Sequence, residues 1–241
     1  MDTCMGNSHS YDDSLRKASE LLRNKDYREA EALLSRLIRD IESDRGKEAP
    51  QLLNPLYLHA KSIRKQHPWN TFPPEERASL ERALRLAVRR YGEDSPHTKE
   101  MRVTLADSLR AAGDPAAAIP HMAIALRISE RVHGEGALLA HDLAGLAGML
   151  FDDKRFAEAL SVFMRAFSMA GDRGNELTDF LLLWGQNRCL VELGRYADAI
   201  PSLERALGWC QLKYGDRNRV TLELRELLTR ARQGDEGNRD K

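Results

Sequence analysis

The stretch Leu190-Val191-Glu192-Leu193-Gly194-Arg195-Tyr196-Ala197-Asp198-Ala199-Ile200-Pro201-Ser202-Leu203-Glu204-Arg205-Ala206-Leu207 decides the fold. Tyr196, Ala199, Leu203, Ala206 and Leu207 recur at three- and four-residue spacing, the period of one face of an α-helix. Gly194 stands just before that run. It is placed to close a preceding helix in a left-handed conformation, which glycine adopts without steric cost. The stretch therefore predicts two helices joined by a tight turn.

The same constellation occurs twice upstream. Leu105, Ala106, Leu109, Gly113, Ala118, Met122, Ala125 and Leu126 form one copy. Leu146, Ala147, Leu150, Lys154, Phe156, Ala159, Phe163, Ala166 and Phe167 form the next. Ala118, Ala159 and Ala199 step by 41 and 40 residues, so the chain repeats a helix pair. Alanines let two helix backbones approach at a crossing, and bulky residues one turn away fill the adjoining grooves. Two weaker copies precede these. One is built on Tyr27, Ala30, Leu34 and Leu37, the other on Leu80, Ala83 and Leu84. In the second, Pro68, Pro73 and Pro74 interrupt the connection between helices, because proline removes a backbone donor. That segment, bearing Trp69 and Phe72, is expected to be an extended loop. Val220 to Ala231 is a last apolar-periodic helix, expected to shield the final pair as terminal units must.

The run from Leu190 to Leu207 closely resembles the tetratricopeptide repeat (TPR). The long period and two Tyr-Gly segments, Tyr91-Gly92-Glu93-Asp94 and Tyr214-Gly215-Asp216-Arg217, resemble the roughly 42-residue variety of the kinesin light chains. Pro96 precedes His97 here, the reverse of the usual order in that variety. The resemblance implies an all-α fold, a right-handed superhelix of about five helix pairs plus a C-terminal capping helix. The array is expected over residues 11–232, with polar, disordered ends at 1–10 and 233–241.

Composition bounds the function. Basic and acidic residues balance at 37 each, which removes the simplest argument for nucleic-acid binding. Cys4, Cys189 and Cys210 are spaced for neither a disulfide framework nor a zinc site. No apolar run is long enough to span a membrane, and the N-terminus lacks a signal core. A cytoplasmic protein without metal or cofactor is expected. Gly134-Glu135-Gly136 lacks the spacing of a dinucleotide loop, and no P-loop or nucleophile elbow is present.

The expected function is a non-catalytic interaction module (adaptor, chaperone or regulatory sensor) that binds another polypeptide. The alternatives are a self-associating, homo-oligomeric structural subunit, or an enzyme using its groove as a small-molecule pocket. In the family resembled, the first helix of each pair lines a concave groove. On that face the resemblance places Lys61, Lys65, Asp107, Arg110, Gly148, Phe151, Trp184 and Arg188 as protein-binding candidates. Arginine and tryptophan are the residue types that dominate interface energetics. The asparagines that clamp a peptide backbone in kinesin-light-chain-like members are replaced here by Val103-Thr104, Ala144-Gly145 and Trp184-Gly185.

Overall fold

The computed structural model describes residues 3–67, 71, 73–134, 136–170 and 176–239. They form eleven α-helices and no strand. Ten of these helices make five pairs: α1 (Thr3–Arg23) with α2 (Tyr27–Arg45), α3 (Leu53–Gln66) with α4 (Pro74–Tyr91), and α5 (Pro96–Ala111) with α6 (Pro115–His133). Then come α7 (Ala137–Asp152) with α8 (Phe156–Ala170), and α9 (Glu176–Glu192) with α10 (Tyr196–Tyr214). The unpaired last helix is α11 (Arg219–Arg239). The expected five pairs and terminal helix are present. Of the segment 68–74, expected to be an extended loop, residues 68–70 and 72 lie outside the described residues, Trp69 and Phe72 among them, and Pro74 begins α4. Helix α1 begins at Thr3 and α11 runs to Arg239.

The chain divides into two compact units, Met1–Ile128 and Ser129–Lys241. In the first, α1 packs on α2, α2 on α3, α3 on α4 and α4 on α5. In the second, α7 to α11 pack in chain order, and the first helices α7, α9 and α11 also touch in succession.

Within four of the five pairs the turn is the same device. A left-handed residue follows the first helix: Lys25 (φ 68°), Gly113 (φ 83°), Lys154 (φ 62°) and Gly194 (φ 71°). The next residue's N–H then reaches back to the last turn, as Asp26 to Leu21, Asp114 to Leu109, Arg155 to Leu150 and Arg195 to Leu190. These bonds satisfy carbonyls that a helix end leaves open. Lys154 stands where two other repeats have glycine, and a side chain in this region carries a steric cost. Lys154→Gly should therefore raise stability by about 0.5–1 kcal/mol. Chemical denaturation checks this, and an unchanged or lower midpoint would contradict the strain.

The alanine landmarks are the tightest points of the core. Ala30, Ala118, Ala159 and Ala199 have no exposed surface. Counting back seven residues from Ala83, as from Ala125 to Ala118, gives the equivalent position in α4. It holds Glu76, only 1% exposed. Its Oε1 accepts from Ser108 Oγ of α5 at 2.6 Å. Its Oε2 has no hydrogen bond and lies 3.7 Å from Arg64 Nη1. Arg64 in turn donates to the Thr71 carbonyl at 2.5 Å. Desolvation pushes the Glu76 carboxyl above its ordinary value, against the opposing pull of Ser108 and Arg64. A second polar link crosses the same pair, where His59 of α3 bonds Ser35 of α2 at 2.9 Å and Ser79 of α4 at 3.0 Å.

Candidate functional site

The candidate residues fall into two groups, one in each unit. In the first unit, Lys61 and Lys65 are exposed on α3, one turn apart. Lys61 Nζ lies 5.1 Å from the centre of the Tyr57 ring. The Tyr57 hydroxyl crosses to α5, donating to Glu100 Oε1 at 2.8 Å and lying 3.5 Å from Thr104 Oγ1. Burial pushes this phenol up to about 12. Asp107 is exposed and Arg110 half-buried on α5. These side chains form a charged, wet face with an aromatic rung between α3 and α5.

In the second unit the structure brings three candidates into contact. Phe151 comes from the last turn of α7, and Trp184 and Arg188 lie one turn apart on α9. The Arg188 guanidinium carbon sits 4.1 Å from the centre of the Phe151 ring and 5.4 Å from that of Trp184. Both distances are within cation–π range. Among the described residues nothing accepts a hydrogen bond from Arg188, and no carboxylate pairs with it. Gly148, three residues before Phe151, is buried on α7. Gly185, next to Trp184, is required by packing, since a Cβ there would lie 2.5 Å from the Phe163 ring. That glycine lets α9 settle on α8, which brings the Trp184–Arg188 stripe close to Phe151.

A cleft of about 380 Å³ opens beside this cluster. Trp184 and Arg188 line one wall, and Arg219, Glu223, Glu226, Leu227 and Arg230 of α11 the other. Arg219 pairs with Glu223 at 2.8 Å and Arg230 with Glu192 of α9 at 3.0 Å. The floor is apolar. Leu227 belongs to a core cluster with Phe180, Val191, Leu203 and Leu224, and Trp184 packs against that cluster.

The α11 wall was absent from the sequence-based candidates, which treated this helix only as a shield. Its role had a signal. Tyr214-Gly215 precedes α11 as Tyr91-Gly92 precedes α5, and Gly92 and Gly215 close the previous helix alike, at φ 84° and 83°. The junction before α11 is thus of the kind that precedes α5, and α11 lies beside α9 as α9 lies beside α7.

Among the described residues, no group of three His, Cys, Asp or Glu side chains is placed to hold a metal ion. No helix there is long and apolar enough to cross a membrane. Cys189 and Cys210 are free thiols buried in helix interiors, and burial pushes Cys189 up to about 11. Burial of this kind disfavours the thiolate, the reactive form of cysteine.

No curated protein matches the sequence. Residues 100–172 match the tetratricopeptide repeat family model. Among solved structures, the chain is similar to a putative kinesin light chain of Podosopora anserina with nearly identical TPR-like repeats. That protein is 15% identical, over 86% of this chain and 96% of that one, with a TM-score of 0.68. It is similar to BtubC (BKLC) of P. vanneervenii, 17% identical over 78% of this chain and 75% of that one, with a TM-score of 0.64. A Rap protein complexed with competence and sporulation factor is 13% identical over 95% of this chain and 67% of that one, with a TM-score of 0.55. The repeated alanines, the shared turn and these likenesses agree: residues 100–172 match tetratricopeptide repeats, and the fold of the chain is similar to that of kinesin-light-chain-like repeat structures.

Proposed function

We propose that the chain is a protein-interaction module whose second unit grips a polypeptide on the face formed by α7, α9 and α11. The observation that carries this reading is Arg188. Arg188 is half-buried with its guanidinium carbon over two rings, and among the described residues nothing accepts its hydrogen bonds. Its N–H groups line the cleft with no protein acceptor among the described residues, so a bound chain can offer them a carbonyl or carboxylate. The stacking holds the fork in place before binding, so less side-chain entropy is lost on contact. Trp184 beside it supplies an apolar platform of the kind that anchors interfaces. The Rap structure, solved with competence and sporulation factor, supports binding by this type of fold. Lys61, Lys65, Asp107 and Arg110 are assigned a supporting role on the corresponding face of the first unit, and Gly148 the role of keeping the α7 surface low beside Phe151.

The test is a double variant, Trp184→Ala with Arg188→Glu, measured by calorimetry against a partner captured by the wild-type chain. Affinity should fall at least tenfold, about 1.4 kcal/mol or more, with unchanged helical circular dichroism. Equal affinity in a folded variant would move the site elsewhere.

A further inference from the structure

We infer that the α9–α11 cleft selects a peptide segment of mixed charge, with one acidic and one basic side chain flanking an apolar one. This rests on the reading that the cleft binds polypeptide, and it names the chemistry of the partner. The lining charges sort themselves. Arg219 is paired with Glu223 and Arg230 with Glu192, both across ordinary ion-pair distances of 2.8 and 3.0 Å. Two lining groups, Arg188 and Glu226, form no ion pair among the described residues. They stand on opposite walls, one on α9 and one on α11.

Each open charge asks for a different group. Phe151 and Trp184 lie over Arg188, which leaves the in-plane N–H edges to bond. A planar fork presented edge-on matches a carboxylate, whose two oxygens accept in parallel. Glu226 is exposed and accepts from a lysine or arginine. In the same cleft Trp184 and Leu227 offer an apolar surface. The two internal pairs add the negative part of the selection. A run of acidic residues would bring carboxylates against Glu192, Glu223 and Glu226, and a run of basic residues would meet Arg219 and Arg230. Like charges held close disfavour such partners. With both signs balanced in the cleft, affinity should depend only weakly on salt.

The experiment selects displayed random peptides on the whole chain, then measures synthetic copies of the enriched ones. Enriched peptides should carry an acidic and a basic residue around an apolar one. Arg188→Glu should weaken such a peptide at least tenfold, and changing the peptide's acidic residue to lysine should restore binding. Glu226→Lys should do the same, rescued by changing the peptide's basic residue to glutamate. Rescue by the peptide separates lost contact from lost fold. Enrichment of uniformly acidic or uniformly basic peptides, or reversals that no peptide change rescues, overturns the mixed-charge selection. If capture survives both reversals but is lost in Trp184→Ala, the cleft binds polypeptide by another rule and only this inference falls. If no peptide is enriched, the binding reading falls with it.

Discussion

Replacing Glu76 with alanine, the residue that four other helix pairs carry at the equivalent position, should destabilise the protein by about 3 kcal/mol. By analogy with Ala30, Ala118, Ala159 and Ala199 the change would be harmless, since each of those sites closes fully around a methyl group. The geometry around Glu76 argues otherwise. The α4 crossing is spaced for a longer side chain, so truncation leaves a cavity rather than a tighter contact. It also strips the buried Ser108 hydroxyl of its acceptor and removes the carboxylate beside the half-buried Arg64. Removing one member of a buried pair costs more than the pair itself contributes. Urea denaturation of the Glu76→Ala chain measures this, and a wild-type midpoint would show that α4 settles onto α3 and α5 as in the other pairs.

Glu76→Gln separates charge from shape. Glutamine keeps an oxygen for Ser108 and nearly the same volume. The folded-state carboxyl is raised, so the native protein holds this proton to higher pH than the unfolded chain does. The resulting stability is complete below the unfolded value, about 4.3. It is lost as pH rises through the raised folded value. Ionised Glu76 is therefore a cost at neutral pH that glutamine does not bear. The stability of Glu76→Gln relative to wild type should grow as pH is raised from acid to neutral. A constant difference across that range would mean that Arg64 offsets the burial in full.

How much of this was legible in the sequence differs by level. Helices and turns follow local spacing. The alanine steps, the residues at 113, 154 and 194, and the Tyr-Gly segments each placed an element near where it stands. Glu76 was visible in principle, seven residues before Ala83, but a glutamate in the first turn of a helix reads as an ordinary partner for the helix dipole. Its burial depends on how α4 meets α5, which no local pattern records. Trp184 and Arg188 could be assigned to one stripe because i and i+4 share a helix face. That Phe151 would stack on the same guanidinium depends on the approach of α7 to α9, set partly by Gly185 against Phe163. The α11 wall was missed because apolar periodicity marks only the buried face of a helix, while Glu223, Glu226 and Arg230 belong to the face it does not describe.

The register of the repeats has its own decisive experiment. Ala159→Leu should lower stability by about 1–3 kcal/mol. Ala159 lies in the first turn of α8 and has no exposed surface, and the helix before it contributes Ala147, equally buried. Where two helices approach over small residues, the backbones themselves form the walls of the contact. An isobutyl group cannot be taken up by a rotamer change there, and the helices must separate. Separation would loosen Leu143, Leu150 and Phe163, which are buried in the same unit. In repeat arrays most contacts are between neighbours, so the damage should be local. Hydrogen exchange should quicken in α7 and α8 while α1 to α4 keep wild-type protection. A second variant on the outward face, Glu158→Leu, adds similar bulk one residue away at an exposed position and should cost little. If both variants melt together with wild type, Ala159 is not at a crossing. If Ala159→Leu opens the whole chain at once, stability is shared across the array rather than held between neighbouring helices.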